Sequence, residues 1–174
     1  MDRTQIQNQI KSNKPHKRLP EWAKRPLGRP SVLHELKSTL RKRGLSTVCE
    51  SARCPNIGEC FSKPTATFMI LGSVCTRKCT FCNVTKNEQA QKTDSNEPEN
   101  IALTSFEMGL KHVVVTSVTR DDLSDGGASH FASTIKALRD KISGISVEVL
   151  TPDFNGVKSS LEKVFLARPN IFNH

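Results

Sequence analysis

Tyrosine is absent from this 174-residue chain, Trp22 is its only tryptophan, and aromatic residues make up 5% of it. Binders of single-stranded nucleic acid stack bases on aromatic rings, so a chain this poor in rings is badly equipped for that work. No stretch approaches the roughly 18 consecutive apolar residues of a membrane-crossing helix. The first thirty residues are polar, with neither the apolar segment of a secretory signal nor the Arg- and Ser-rich amphipathic pattern of a transit peptide; a cytoplasmic protein is the expectation. Cysteine is missing everywhere except between positions 49 and 82, where all six occur. With nothing pointing to secretion, clustered cysteines read as metal ligands rather than as a disulfide scaffold.

The charge is lopsided. Of a formal net charge of +9, residues 1–48 carry the whole excess, with 12 Lys and Arg against 3 Asp and Glu, while residues 49–174 balance at 14 against 14. A basic arm reads first as a solvated tail and second as a docking element for an acidic protein or for nucleic acid. The shortage of rings weighs against nucleic acid. Pro15, Pro20, Pro26 and Pro30 interrupt any helix in the arm, so residues 1–30 are expected to be an extension without regular structure.

What the chain does have is thiols in two close sets. Cys75-Thr76-Arg77-Lys78-Cys79-Thr80-Phe81-Cys82 spaces three as C-x3-C-x2-C, directly after the apolar run Thr67-Phe68-Met69-Ile70-Leu71. Cys49, Cys54 and Cys60 are spaced C-x4-C-x5-C, and Pro55 and Gly58 make that segment loop-like, able to wrap around a centre. Three thiolates leave a centre one protein ligand short. A structural zinc site takes four such ligands, and a 4Fe-4S cluster normally takes one cysteine per iron. With three, one iron stays open to a ligand that is not protein, and Phe81 could wall one side of such a cluster. On the residues alone two readings stay open. One is an iron–sulfur centre. The other is a zinc knuckle that borrows its fourth ligand, which with the basic arm would make a zinc-binding, nucleic-acid-binding module. Two triads of different spacing argue for two centres rather than halves of one.

Around the thiols the chain alternates. Ser31 reads as an N-cap, followed by Val32, Leu36 and Leu40 on one helical face, with Arg41, Lys42 and Arg43 in the last turn and Gly44 as the stop. The polar stretch Thr85 to Asn96 reads as a loop. Pro98, Ile101, Met108 and Gly109 mark a helix of about three turns, His112 to Val118 a strand, and Phe131, Ile135, Leu138 and Ile142 a second helix. Ile145 to Leu150 is a strand ended by Pro152, Val157, Leu161 and Phe165 mark a third helix, and Asn170 to His174 starts a fourth strand. Short apolar strands alternating with helices predict parallel βα units. Such sheets do chemistry at the C-terminal ends of their strands. In Ile145 to Leu150, Glu148 alternates with Val147 and Val149, so if the valines face the helices Glu148 faces the other way and must be paired or bind something. Asp121, Asp122 and Asp125 match neither a calcium loop nor, with Gly126-Gly127, a phosphate loop; turn formation and helix capping are their expected work.

C-x3-C-x2-C with an aromatic before the last cysteine resembles the signature of the radical-SAM superfamily (SAM, S-adenosylmethionine). The two triads in this order, with Val48-Cys49-Glu50, Cys54-Pro55-Asn56-Ile57, Glu59-Cys60, Thr119-Arg120-Asp121-Asp122-Leu123, Asp125-Gly126-Gly127 and Pro152-Asp153-Phe154-Asn155-Gly156, resemble the lipoyl synthase family within it, from about Leu19 to the last residue. The resemblance implies an α/β fold: a parallel (β/α) radical-SAM barrel over residues 67–174, preceded by a helix and auxiliary-cluster segment over 31–66 and the basic extension over 1–30. It implies two [4Fe-4S] clusters, one on Cys75, Cys79 and Cys82 that binds SAM and one on Cys49, Cys54 and Cys60 that is consumed as sulfur source. It further implies that Thr116 and Ser117 help hold the methionine part of SAM; by strand position, Glu148 is expected to contact SAM or to form a salt bridge, and Asn173, ending the fourth strand, to reach the ribose.

The implied reaction inserts two sulfur atoms at C6 and C8 of an octanoyl group carried on a lysine of an acceptor protein. Hydrogen abstraction by an adenosyl radical precedes each carbon–sulfur bond. Partners implied are octanoylated lipoyl-carrier domains, from 2-oxoacid dehydrogenase subunits or the glycine cleavage carrier protein, and an electron donor such as ferredoxin or flavodoxin, with no nucleic acid and no membrane. Such carriers tend to be acidic, which would give the basic arm a steering role. The family's barrel has six βα units and an Arg-Ser-Ser-Tyr motif whose serine completes the auxiliary cluster. This sequence reaches the fourth strand and lacks that motif, so an N-terminal fragment, inactive or incomplete alone, is the expectation.

Overall fold

The computed structural model describes residues 20–21, 30–51, 54, 57, 65–87 and 91–174. Nearly all of the basic extension, and the side chains of Val32 and Leu36, lie outside them. Helix α1, Pro30–Lys42, begins one residue before the expected cap, so Ser31 sits inside its first turn. Its exit follows the glycine stop. Leu45 N–H donates to Leu40 O at 2.9 Å and Gly44 N–H to Arg41 O at 3.1 Å, with Gly44 at φ +66°. This is the paired closure of a Schellman turn, and it brings the buried Leu45 back onto the buried Leu40. Arg43 then ties the turn to the next layer, donating to Thr104 Oγ1 at 2.8 Å and Glu107 Oε1 at 2.7 Å.

Strand β1, Ser46–Thr47, leads straight into a one-turn helix α2, Val48–Ser51. The first cysteine of the 49–60 triad is therefore helical, where a loop was expected. Strand β2, Thr65–Ile70, follows. Strands β3, Val74–Cys75, and β4, Thr85–Lys86, pair parallel with each other as a separate two-stranded piece. The polar stretch from Thr85 is thus not loop throughout, because two of its residues close the base of the cysteine loop. Then come helix α3, Glu97–Glu107; strand β5, His112–Ser117; helix α4, Ala128–Lys141; strand β6, Ser146–Leu150; a single 3-10 turn, Phe154–Gly156; helix α5, Lys158–Leu166; and strand β7, Ile171–Asn173.

The main sheet has the order β1-β2-β5-β6-β7. The four strands β2, β5, β6 and β7 are mutually parallel, as the alternation predicts, and β1 adds an antiparallel edge beside β2. The register puts Ala66 beside Val113 and Phe68 beside Val115, and these in turn beside Val147 and Val149. All six are buried, and with Ile70, Phe131, Ile135 and Leu138 they form the layer between sheet and helices. Because side chains alternate across a strand, the opposite face receives Thr67, Val114, Thr116, Glu148 and Leu150.

Helix α5 departs from the expected pattern. Its core residues are Val164 and Ser160, both buried, whereas Phe165 is 53% exposed. Val157 is not helical but precedes the helix with an extended ψ of 107°. Val157 and Phe165 are thereby turned to the rim while Leu161 still packs against the core, and Phe165 leans on Phe172, ring centroids 4.5 Å apart.

Helix α4 starts against Leu71, the residue that follows β2. Gly127 has φ +92°, and a Cβ there would stand 2.2 Å from Leu71 Cδ1, whereas at Gly144, φ +73°, it would meet nothing within 4 Å. Both sites penalise a side chain through their backbone, but only Gly127 also has a core residue in the way. Gly127→Ala is expected to lower the unfolding free energy by about 3 kcal/mol or more, against about 1 kcal/mol for Gly144→Ala. Urea denaturation of the two variants checks this; equal losses would mean that the Leu71 contact does not constrain the turn.

Candidate functional site

Strand β2 ends in a left-handed turn, Leu71 at φ +68° and Gly72 at φ +96°, and two buried charges hold it. Leu71 N–H donates to Glu97 Oε2 at 2.8 Å, and Leu71 O accepts from Arg120 Nη1 at 3.1 Å. Glu97 is 6% exposed and Arg120 3%. A buried charge is tolerable only when paired and hydrogen-bonded. Here Glu97 Oε2 lies 2.7 Å from His130 Nε2, and Arg120 makes two 2.8 Å bonds to Asp122. The turn delivers the chain into the cysteine loop.

Cys75 closes strand β3, and Asn87 N–H donates to its carbonyl at 3.1 Å. Its sulfur accepts the N–H of Thr119, beyond the end of β5, at 3.3 Å. Cys82 N–H donates to Cys79 O at 3.3 Å, and Lys86 Nζ reaches the same carbonyl at 2.8 Å. Cys79 is exposed, and Phe81 is 92% exposed, so the ring walls nothing in this form. Asn83 Nδ2 donates to Ser51 O at 3.4 Å, which ties this loop to the other cysteine segment. There Cys54 N–H donates to Cys49 O at 3.0 Å, and Lys37, Arg41, Cys49, Glu50, Cys54 and Ile57 line an open hollow of about 460 Å³. Cys60 lies outside the described residues. Among the described residues no three His, Cys, Asp or Glu side chains stand close enough to hold one metal ion. The donor set suits iron nonetheless: it is sulfur only, on one short loop, with a backbone N–H already aimed at one sulfur.

Of the four residues expected at strand ends, Thr116, Ser117 and Asn173 are there, whereas Glu148 lies in the middle of β6, level with Val114. Glu148 does turn away from the helices and is paired, with Oε2 3.1 Å from His112 Nε2, while Asn173 Nδ2 donates to Oε1 at 2.6 Å. His112 Nδ1 is in turn 3.1 Å from Ser146 Oγ. Thr116 stands level with Leu150 and Asn173 across the sheet, but its hydroxyl donates to Leu150 O at 2.9 Å. Ser117 Oγ, beside it, and Thr151 Oγ1, at the end of β6, are buried without a hydrogen-bond partner among the described residues. Ser105 Oγ, inside α3, is a third such hydroxyl.

A sequence model of the radical SAM superfamily matches residues 69–174, which takes in the cysteine loop and all the parallel strands after β2. The chain belongs to the radical SAM superfamily. A second model, for the N-terminal domain of lipoyl synthase of the radical SAM family, matches residues 2–54. A lipoyl synthase of Alkaliphilus metalliredigens is 55% identical over 158 residues, 91% of this chain and 54% of that protein. One of Rubrobacter xylanophilus is 52% identical over 155 residues, 89% and 48%, and one of Aquifex aeolicus is 56% identical over 144 residues, 83% and 52%. The chain spans about half the length of the curated relatives it matches. Enzymes of this superfamily use SAM and a 4Fe-4S cluster, and the chain carries the resemblance to lipoyl synthases over nine-tenths of its length. Among the described residues no helix is long and apolar enough to cross a membrane.

Sequence reasoning missed the partners that lie far along the chain. His112 carried no signal beyond opening a strand. Arg77, inside the C-x3-C spacing, gathers Asp121, Asp153 and Asn155 around its guanidinium. Asp121 and Asp122 are the two central residues of the turn closed by Leu123 N–H to Arg120 O at 3.0 Å, as expected, and they also serve as ion-pair acceptors. Hydrogen bonds from Arg77 hold Asp121 below the ordinary carboxylate range, and those from Arg120 do the same for Asp122.

Asp125 does cap a helix. It accepts from Gly127 N–H and Ser129 N–H, both at 2.9 Å, at the start of α4, and from Lys163 Nζ at 3.3 Å. Burial alone would push this carboxyl up. The Ser129 hydroxyl, the two N–H groups and Lys163 together outweigh burial and bring it from 3.8 down to about 2. A carboxyl depressed by folding stabilises the protein above its unfolded pKa, and the contribution fades as pH falls through the folded value. Asp125→Asn is expected to cost about 2 kcal/mol near pH 6, and the gap from the parent protein should shrink to about half by pH 3. Urea titrations at both pH values measure it; a gap that holds or widens in acid would contradict the assignment.

Proposed function

We propose that the chain is a lipoyl synthase polypeptide whose two cysteine segments each hold a [4Fe-4S] cluster. Cys75, Cys79 and Cys82 would ligate the one that binds SAM, and Cys49, Cys54 and Cys60 the auxiliary one. The observation that carries this reading is the pair of triads tied by Asn83 to Ser51, in a chain about half identical to lipoyl synthases. When bound, the clusters and SAM supply an electron, a hydrogen-abstracting radical and sulfur, which is what functionalising the unactivated C6 and C8 of an octanoyl group requires. The substrate would be an octanoylated lipoyl-carrier domain, of a 2-oxoacid dehydrogenase subunit or the glycine cleavage carrier protein. Ferredoxin or flavodoxin would donate the electrons.

The chain's own residues orient and shield. Thr119 N–H steadies the Cys75 sulfur. Thr116, Ser117 and Asn173 stand at the ends of the strands, with Glu148 in mid-strand behind Asn173, and the unmet hydroxyls of Ser117 and Thr151 suit a polar ligand such as the amino-acid end of SAM. Asn173 donates to Glu148 in this form, so contact with a ribose would require it to exchange one acceptor for another. The competing reading, a zinc module, has the same cysteines but needs no sulfide.

Anaerobic reconstitution with iron and sulfide is expected to load about four irons and four sulfides at the Cys75 set. Replacing Cys75, Cys79 and Cys82 with Ala should remove that quota. Stoichiometric zinc without sulfide, from protein purified anaerobically, would favour the zinc module and overturn the proposal.

A further inference from the structure

Three segments far apart in sequence meet at Arg77. Its Nε and Nη2 each bond one oxygen of Asp121, both at 2.8 Å. Nη1 and Nη2 bond the two oxygens of Asp153 at 2.8 and 2.7 Å, and Nη2 also reaches Asn155 Oδ1 at 2.7 Å. The partners are themselves fixed. Asn155 Nδ2 donates to Asp121 Oδ1 at 3.1 Å, and Asp153 Oδ1 accepts the Asn155 N–H at 3.0 Å. The neighbouring Thr76 bonds Thr119 O through both its N–H, 3.1 Å, and its hydroxyl, 3.0 Å, while Asp121 N–H donates back to Thr76 Oγ1 at 3.2 Å.

The turn that presents Asp153 and Asn155 is strained. Phe154 and Asn155, neither a glycine, have φ of +46° and +54°. Such backbone persists only where its surroundings hold it. On one side Phe154 is buried, edge-on to Phe131 with centroids 6.0 Å apart, and packed against Gly126. On the other side stands Arg77. Arg77, Asp121 and Asp153 are each between about a third and a half exposed, so solvent screens the pairs and they add little to overall stability. What the planar fork fixes is position.

We propose that Arg77 is the positioning residue of the cysteine loop, locking its Cys75 half to the ends of β5 and β6 before any cluster is bound. This rests on reading Cys75, Cys79 and Cys82 as cluster ligands. Cys75 and Thr76 are then held at one point, and the exposed Cys79 is left to close on the iron as the cluster assembles. Without the guanidinium, Asp121 and Asp153 face each other as like charges, and the strained turn loses one of its two holds.

The test uses the full chain carrying Cys49→Ala, Cys54→Ala and Cys60→Ala, so that only one triad remains. Reconstituted protein is exposed to an iron chelator and the loss of cluster absorbance is timed. Arg77→Met is expected to speed the loss by about tenfold or more, the usual effect of removing a group that orients a ligand. It should also alter the electron-paramagnetic-resonance line shape of the reduced cluster, yet leave the melting of the metal-free protein nearly unchanged. Arg77→Lys, with the charge but not the fork, should fall between. Loss at the parent rate from Arg77→Met would overturn the inference while leaving the cluster reading intact. A parent that takes up no iron and sulfide would overturn both. Should Arg77→Met fail to fold, the paired Asp121→Asn and Asp153→Asn variant decides: faster loss supports the lock, and the parent rate refutes it.

Discussion

The left-handed turn at Leu71 is the constraint on which the rest of the site depends. A parallel strand buried under helices must release its chain at the C-terminal end without leaving polar groups unmet. Here the N–H and C=O of one residue are each met by a buried charge, Glu97 and Arg120. Those side chains come from two different elements, and each has a further partner, His130 for Glu97 and Asp122 for Arg120. Gly127 lets helix α4 close over Leu71 with no side chain between them. A neutral, less specific arrangement would satisfy the same hydrogen bonds. The charged one ties the exit of β2 to the starts of α3 and α4 and to the segment after β5, so the loop beginning at Gly72 leaves in one direction.

From that turn outward the sheet divides its labour. One face carries valine, isoleucine and phenylalanine against the helices and contributes most of the burial. The other carries His112, Glu148, Asn173 and Thr116, linked to one another or to the neighbouring strand. Beyond the strand ends, Arg77 joins the cysteine loop to the turns after β5 and β6. The site is therefore layered: an apolar base, a polar floor, and a rim where loops are pinned by hydrogen bonds rather than packing.

Much of this was legible in the residues, and the reason differs by element. The parallel strands and their helices showed because burial on one face writes a period into sequence. The cysteine spacing pointed to the superfamily that the family model then matched over residues 69–174. Glu148 was placed correctly by its valine neighbours alone. What escaped notice depends on contacts between distant positions. Nothing near Arg77 in the sequence singles it out, because its acceptors lie 44 and 76 residues further on. Phe165 repeats Leu161 at helical spacing and marks the helix correctly, but it is Val164 that the helix buries. Single hydrophobic periods do not say which of two adjacent apolar residues a short helix turns inward.

The central claim is that the Cys75 loop holds a cluster with one iron open to SAM, a property that no zinc knuckle and no four-cysteine ferredoxin site shares. Electron-paramagnetic-resonance spectra of the reduced, reconstituted chain, recorded with and without SAM, address it most directly. The account predicts a cluster signal whose shape changes on adding SAM, as the amino and carboxylate groups of SAM take the open position. A cluster spectrum that SAM leaves unaltered at saturating concentration would contradict it.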